Sequence, residues 1–164
     1  MFRREFKWEE PDDDEDNPFR DLSEALKTNT SVVSINLDFC DLRDDGAKAL
    51  AEALTINKVL TQLFLHGNSI DVDGVKALAE ALMAPQSALQ SLSMGKCGIG
   101  DDGVKVLARA LKTNKSLDNL DLEENKIGDD GVKVLAEALT ENSSITNVNL
   151  KQNDIGSDGV KALR

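Results

Sequence analysis

Five near-identical stretches follow one another along this 164-residue chain at a period of 28 or 29 residues, and no other feature constrains the fold as tightly. The unit reads L-x-x-L-x-L-x-x-(N/C)-x-I-x-x-x-G-x-x-x-L, starting at Val32, Leu60, Leu89, Leu117 and Ile145. Its glycine falls at Gly46, Gly74, Gly103, Gly131 and Gly159, in steps of 28, 29, 28 and 28. A unit this short cannot enclose its own apolar residues. Each must bury them against its neighbours, so the units stack. Function in such an array belongs to a surface rather than to an enclosed pocket.

Each unit supplies a strand, a turn and a helix. Leu120 and Leu122 alternate with Asn119, Asp121 and Glu123, the period-two pattern of a strand with leucines facing inward. The helices open on acids (Asp44-Asp45, Asp101-Asp102, Asp129-Asp130), placed to cap free N–H groups and to oppose the positive helix end. The glycine that follows lets neighbouring turns approach closely. Apolar residues then recur at helical spacing, as in Val132, Leu135, Ala136 and Leu139. Lys48, Lys76, Lys105, Lys133 and Lys161 share one position. Four residues later stand Glu52, Glu80, Arg109 and Glu137, so a solvated outer face with i,i+4 pairs is expected. The extra residue near Pro85 lengthens one turn and begins no new domain.

The chain divides into a tail (1–17), a half-repeat capping helix (18–31) and five repeats (32–164), the last truncated. In the tail, FRREFKW is basic and aromatic, whereas EEPDDDEDN holds seven acids in nine residues and repels itself. Phe2, Phe6 and Trp8 could close the exposed end of the core. Asn17 as N-cap and Pro18 at the first helical position start the capping helix. The Asn17-Pro18-Phe19 triplet also resembles the peptide motif bound by EH domains, but helix capping accounts for all three residues. At the other end the chain stops partway through a helix, which reads as a fragment of a longer array.

A hydrophobic fraction of 40% with only 4% aromatic means a core of Leu, Ile, Val and Ala. The net charge of −11 argues against nucleic acid and against anionic membrane surfaces. No apolar run approaches the roughly 20 residues of a membrane span, and the start of the chain has no secretory signal. Cys40 and Cys97 fill the same slot two repeats apart. Strands about 4.8 Å apart put them near 10 Å, beyond the ~7 Å that a disulfide allows. Free thiols suit a cytoplasmic location. The sequons at Asn29, Asn114 and Asn142 occupy corresponding turns and read as turn composition.

These units resemble the leucine-rich repeat family, in its ribonuclease-inhibitor-like class, over roughly residues 32–164. The resemblance implies an α/β, right-handed solenoid or horseshoe, with parallel strands on the concave face and helices on the convex face. It also implies that Cys40, Asn68, Cys97, Asn125 and Asn153 form a structural ladder, their side chains bonding backbone in the turn after each strand. One branch, the activators of the GTPase Ran, is similar and carries an acidic segment. There the horseshoe is longer and the acidic run lies elsewhere. An actin-capping array like that of tropomodulin, or a subunit of a large assembly, is the structural alternative.

No catalytic constellation is visible. His66, the sole histidine, has no nucleophile in a familiar setting, and no phosphate-cradling G-x-x-x-x-G-K occurs. The GIGDDG and DVDG stretches lack the alternating ligands of a calcium loop. No metal, cofactor or small-molecule substrate is expected. What varies from repeat to repeat is the outward strand face: Ser34, Asn36 and Asp38; Gln62, Phe64 and His66; Ser91, Ser93 and Gly95; Asn119, Asp121 and Glu123; Asn147, Asn149 and Lys151. The stack does not dictate these identities, so they are the candidate contacts. Asn36, Asp38, Phe64, His66, Ser93, Asp121, Glu123, Asn149 and Lys151 are the partner-binding set. Phe64 is the apolar anchor, and the acids orient another protein of basic or mixed charge. The expected function is therefore a non-enzymatic protein-interaction module.

Overall fold

The computed structural model describes residues 17–163. The tail's aromatic and acidic segments, with Phe2, Phe6 and Trp8, lie outside the described residues. Among the described residues six helices alternate with five short strands: α1 Pro18–Thr28, β1 Ser34–Asn36, α2 Arg43–Ile56, β2 Gln62–Phe64, α3 Val72–Leu82, β3 Ser91–Ser93, α4 Gly100–Thr113, β4 Asn119–Asp121, α5 Asp129–Glu141, β5 Asn147–Asn149 and α6 Ser157–Ala162. The strands form one parallel sheet in chain order, β1-β2-β3-β4-β5. Equivalent residues pair throughout, as in Ile35 with Leu63, Leu63 with Leu92, Leu92 with Leu120 and Leu120 with Val148. One repeat is thus one layer of an α/β solenoid.

Three residues per strand suffice because each strand aims one side chain inward and the residue just past it aims a second. Leu63, Leu65, Leu92, Met94, Leu120 and Leu122 are all buried, facing Val75, Leu78, Val104, Leu107, Val132 and Leu135 from the helices. Medium-sized aliphatics at fixed register interlock layer by layer. A single apolar core therefore runs the length of the stack. In the fifth layer Val148, Leu150 and Ile155 are only half-buried, and Val160 and Leu163 are exposed.

At the first layer, the Asn17 side chain accepts the Phe19 N–H at 3.0 Å, with Pro18 opening α1. Ser23 Oγ donates to the Ala49 carbonyl, and Leu26 lies in the core, tying α1 to α2. No helix among the described residues is long and apolar enough to cross a membrane.

Two expectations about the acids need correction. The first acid of each pair does not cap its own helix. Asp44 Oδ1 accepts the Asp71 and Gly74 N–H groups of the next layer, Asp101 accepts Gly128 N–H, and Asp129 accepts Gly156 and Gly159 N–H. A carboxylate thus sits at the positive end of the following helix and clasps two layers together. The second acid pairs with the lysine three residues on: Asp45 with Lys48, Asp102 with Lys105, Asp130 with Lys133 and Asp158 with Lys161. The expected pairs with an acid four residues after the lysine do not form. An acid on the N-terminal side of a lysine suits the helix dipole, and the reverse order does not. Such exposed pairs contribute little to stability.

Candidate functional site

Three features define the strand face and its rim: a ladder that holds the turns, a row of outward side chains, and an aromatic contact. The ladder comes first because it sets the geometry of the other two. Asn68 Oδ1 accepts from Cys40 N and Leu42 N, while its Nδ2 donates to the carbonyls of Leu37 and Leu65. Asn125 repeats this two seams further on, accepting from Cys97 N and Ile99 N and donating to Met94 O and Glu123 O. Asn153 accepts from Asn125 N and Ile127 N. Each amide thereby satisfies turn groups that the strands cannot reach.

Cysteine does half of that work. Cys97 Sγ donates to Leu65 O at 3.1 Å, in the place of an amide donor, but the side chain has no amide oxygen to offer the layer before it. Ile70 N turns to the Cys97 backbone oxygen instead. Val72 also stands where the first, third and fourth layers present a clasping aspartate. The seam between the second and third layers is therefore built differently from the other three. Cys40 reaches only Asp38 O, at 3.5 Å. Both cysteines are free thiols. Burial pushes the Cys97 thiol up to about 11, and weaker burial with the nearby Asp38 charge raises Cys40 by less.

At pH 8 a thiol reagent is therefore expected to label Cys40 faster than Cys97, because the less buried thiol is easier both to reach and to ionise. Equal rates would contradict the burial of Cys97. The unfolded thiol ionises at its ordinary value of 9.0 and the folded one near 11, so Cys97 adds stability below pH 9 that is lost as pH rises toward 11.

A second ladder lines the opposite edge, where the helices end. Asn57 Oδ1 accepts from Val59 N and Leu60 N, and its Nδ2 donates to Leu26 O and Asn29 O of the preceding layer. Asn114 donates to Leu82 O, and Asn142 to Leu111 O and Asn114 O, each closing its own turn in the same way. Gln86 takes this slot in the lengthened turn and donates to Thr55 O. Sequence reasoning saw three of these positions as sequons and missed the ladder. The signal was present: residues 29, 57, 86, 114 and 142 recur in steps of 28, 29, 28 and 28.

On the strand face, the proposed contacts do not stand alike. Asn36 and Lys151 are exposed, while Asp38, Phe64, His66, Asp121, Glu123 and Asn149 are half-buried. Ser93 is 8% exposed, and its hydroxyl donates to Asp121 Oδ2 at 3.2 Å. That corrects its reading as an open contact. A short side chain between Phe64 and Asp121 in register is shielded by its longer neighbours. Gly95 is buried for the same reason: a Cβ there would lie 2.5 Å from His66 Nδ1.

The carboxylates are fixed by neighbours. Asp38 Oδ1 accepts from His66 N, Asp121 Oδ1 from Glu123 N, and Glu123 Oε2 from Asn149 Nδ2 at 3.0 Å. The acids expected to orient a partner are thus held before any partner arrives. Phe39, just past β1, is 68% exposed and meets His66 edge-on, with ring centroids 5.2 Å apart. Beside this row, Asn68, Lys96, Glu124, Lys126, Gln152 and Asp154 border an open depression along the turns.

The sequence profile described as "Leucine Rich repeat" matches residues 28–51, 87–108, 113–136 and 141–163, more than half of the chain. The chain belongs to the leucine-rich repeat family. No curated protein sequence matches this leucine-rich repeat chain. Among solved structures, it is similar to one named "Leiomodin-1 Actin-Binding Site 2 (ABS2)", with a TM-score of 0.77, 22% identity, and coverage of 91% of this chain and 89% of that one. It is also similar to a Caenorhabditis elegans tropomodulin C-terminal domain, with a TM-score of 0.74, 15% identity and 88% of each chain covered. Identities this low establish a shared leucine-rich repeat fold.

Proposed function

We propose that this chain is a non-enzymatic protein-interaction module that grips a partner of basic or mixed charge through its concave strand face. One observation supports this above all. Across five layers the inward residues hardly change, whereas the outward row runs Asp38, His66, Gly95, Glu123 and Lys151 at one register and Asn36, Phe64, Ser93, Asp121 and Asn149 at the next. Stacking explains the constancy; it does not explain the variation. A rigid sheet with carboxylates already hydrogen-bonded loses little conformational freedom on binding. Phe64 supplies apolar contact, and Asp38, Asp121 and Glu123 steer positive groups.

The test is affinity purification with wild type and Phe64→Ala, followed by titration of the recovered protein. Phe64→Ala is expected to weaken binding about tenfold or more, a loss of roughly 1.4 kcal/mol, with the thermal midpoint little changed. Binding should also weaken as salt rises. Unaltered affinity, or an unfolded variant, would remove Phe64 from the contact set.

A second reading has one observation in its favour: the leiomodin-1 neighbour is named as an actin-binding site. In that reading the array docks on actin. Co-sedimentation with filaments and pyrene-actin assembly kinetics separate the two, since the first reading expects no effect on either.

A further inference from the structure

The slot just past each strand turn is filled in succession by Phe39, Gly67, Lys96, Glu124 and Gln152, all with positive φ near 55–70° (56°, 71°, 53°, 56° and 56°). L-residues disfavour this left-handed backbone, and glycine takes it freely. Lys96, Glu124 and Gln152 send polar side chains into water. Phe39 instead puts a benzyl ring there, with its N–H bonded to His66 O at 2.7 Å. The ring roofs Gly67, where a Cβ would lie 2.3 Å from Phe39 Cδ1 and Cε1, and it meets the His66 ring edge-on. His66 in turn covers Gly95. The two rings make a continuous platform at the rim, resting on two glycines.

The core makes no use of this ring, which remains 68% exposed. A bulky, apolar, water-facing residue in disfavoured backbone conflicts with local preference on two counts, and such conflicts cluster at sites of function. Charge decides what fits. Asp38 precedes Phe39 and Glu123 continues the row beyond Gly95, whereas Asp41, two residues past Phe39, is paired with Arg43. On the outward strand face Asp38, Asp121 and Glu123 outnumber the one cation, Lys151, and the whole chain carries −11.

We propose that the Phe39–His66 platform is the dominant anchor for a partner protein segment presenting an apolar side chain flanked by Lys or Arg. This rests on the reading of the strand face as a protein-binding surface and moves its energetic centre from Phe64 to the rim. The fold itself prefers glycine or asparagine at position 39, as position 67 illustrates.

The test uses the full chain and two fluorescein-labelled peptides: one of alternating Lys and Leu with a central Trp, and its copy with Glu for Lys. Anisotropy titration is expected to show the basic peptide binding at least tenfold more tightly than the acidic one (about one decade per 1.4 kcal/mol). Phe39→Gly and Phe39→Asn leave the charge unchanged. Each is expected to weaken the basic peptide about tenfold while the thermal midpoint stays level or rises, because backbone strain is relieved. A midpoint that falls by about 5 °C or more in both variants would make the ring structural and overturn the proposal. So would wild-type affinity in both. If Phe64→Ala weakens binding and the Phe39 variants do not, the rim anchor fails and the strand-face reading stands. If none of the three matters, both fail. A Phe39-dependent dimer in sedimentation would assign the platform to a second copy of this chain and overturn the proposal.

Discussion

Asn125→Ala is expected to cost about 3–5 kcal/mol of folding stability, read as a lower urea midpoint with an unchanged slope. The amide is fully buried and holds Cys97 N, Ile99 N, Met94 O and Glu123 O. Truncation strands two donors and the Met94 carbonyl, whereas Glu123 O keeps the Lys96 N–H, and each unpaired buried group costs roughly 1–3 kcal/mol before relaxation. Against a total of about 5–15 kcal/mol for a domain, that is a large fraction. Two comparisons sharpen the result. Asn125→Cys should fall between wild type and alanine, because Cys97 shows that a thiol replaces the donor half of the amide. Asn153→Ala should cost less, since Asn153 is only half-buried and water can reach the groups it leaves. A loss below about 1 kcal/mol for Asn125→Ala would mean that the turns satisfy themselves without the ladder.

Gly131→Ala is the second, at about 2 kcal/mol, although alanine is the better helix former by roughly 1 kcal/mol. A Cβ at position 131 would stand 2.5 Å from Asp101 Oδ1, 3.0 Å from Ile127 Cγ2 and 3.2 Å from Asp101 Cα. The carboxylate cannot simply step aside, because Oδ1 accepts Gly128 N–H at 2.7 Å. Moving it breaks the clasp between the third and fourth layers. In the double variant Gly131→Ala with Asp101→Ser, the 2.5 Å clash with the carboxylate and the clasp disappear together. Its loss should be smaller than the sum of the single losses, which chemical denaturation of all three variants measures. Strict additivity would mean that Asp101 and residue 131 do not meet.

Much of the fold was legible in sequence because a stacked array repeats its own evidence. Five copies of the leucine pattern identify the inward positions, and the steps of 28 and 29 identify the register. The asparagine and cysteine slot was visible in the same way. The second asparagine ladder followed an identical period, but its letters spelled sequons and turn residues, so its bonds to the previous layer went unread. The acid pairs show the opposite limit. Both aspartates of Asp44-Asp45 look like caps for the helix they begin, yet one bonds the next layer and the other a lysine on its own helix. Sequence order places a residue beside its own helix; only packing says that another helix end is nearer.

The candidate site divides in the same manner. Phe64 was conspicuous as an aromatic at an outward strand position, and Ser93 counted as open because its position alternates outward. Exposure depends on the sizes of neighbours in the adjacent layers, 28 or 29 residues away in sequence. Phe64 and Asp121 flank Ser93 and shield it, while Phe39, outside the strand, stays in water. The repeat alone determined that this chain stacks, which residues it buries and which face is left to vary, because apolar burial at a fixed period has few solutions. Tertiary structure decided which carboxylates clasp a neighbouring layer, which cysteine stands in for an amide and which aromatic faces solvent. Each of these depends on atoms that meet only once adjacent layers are in contact.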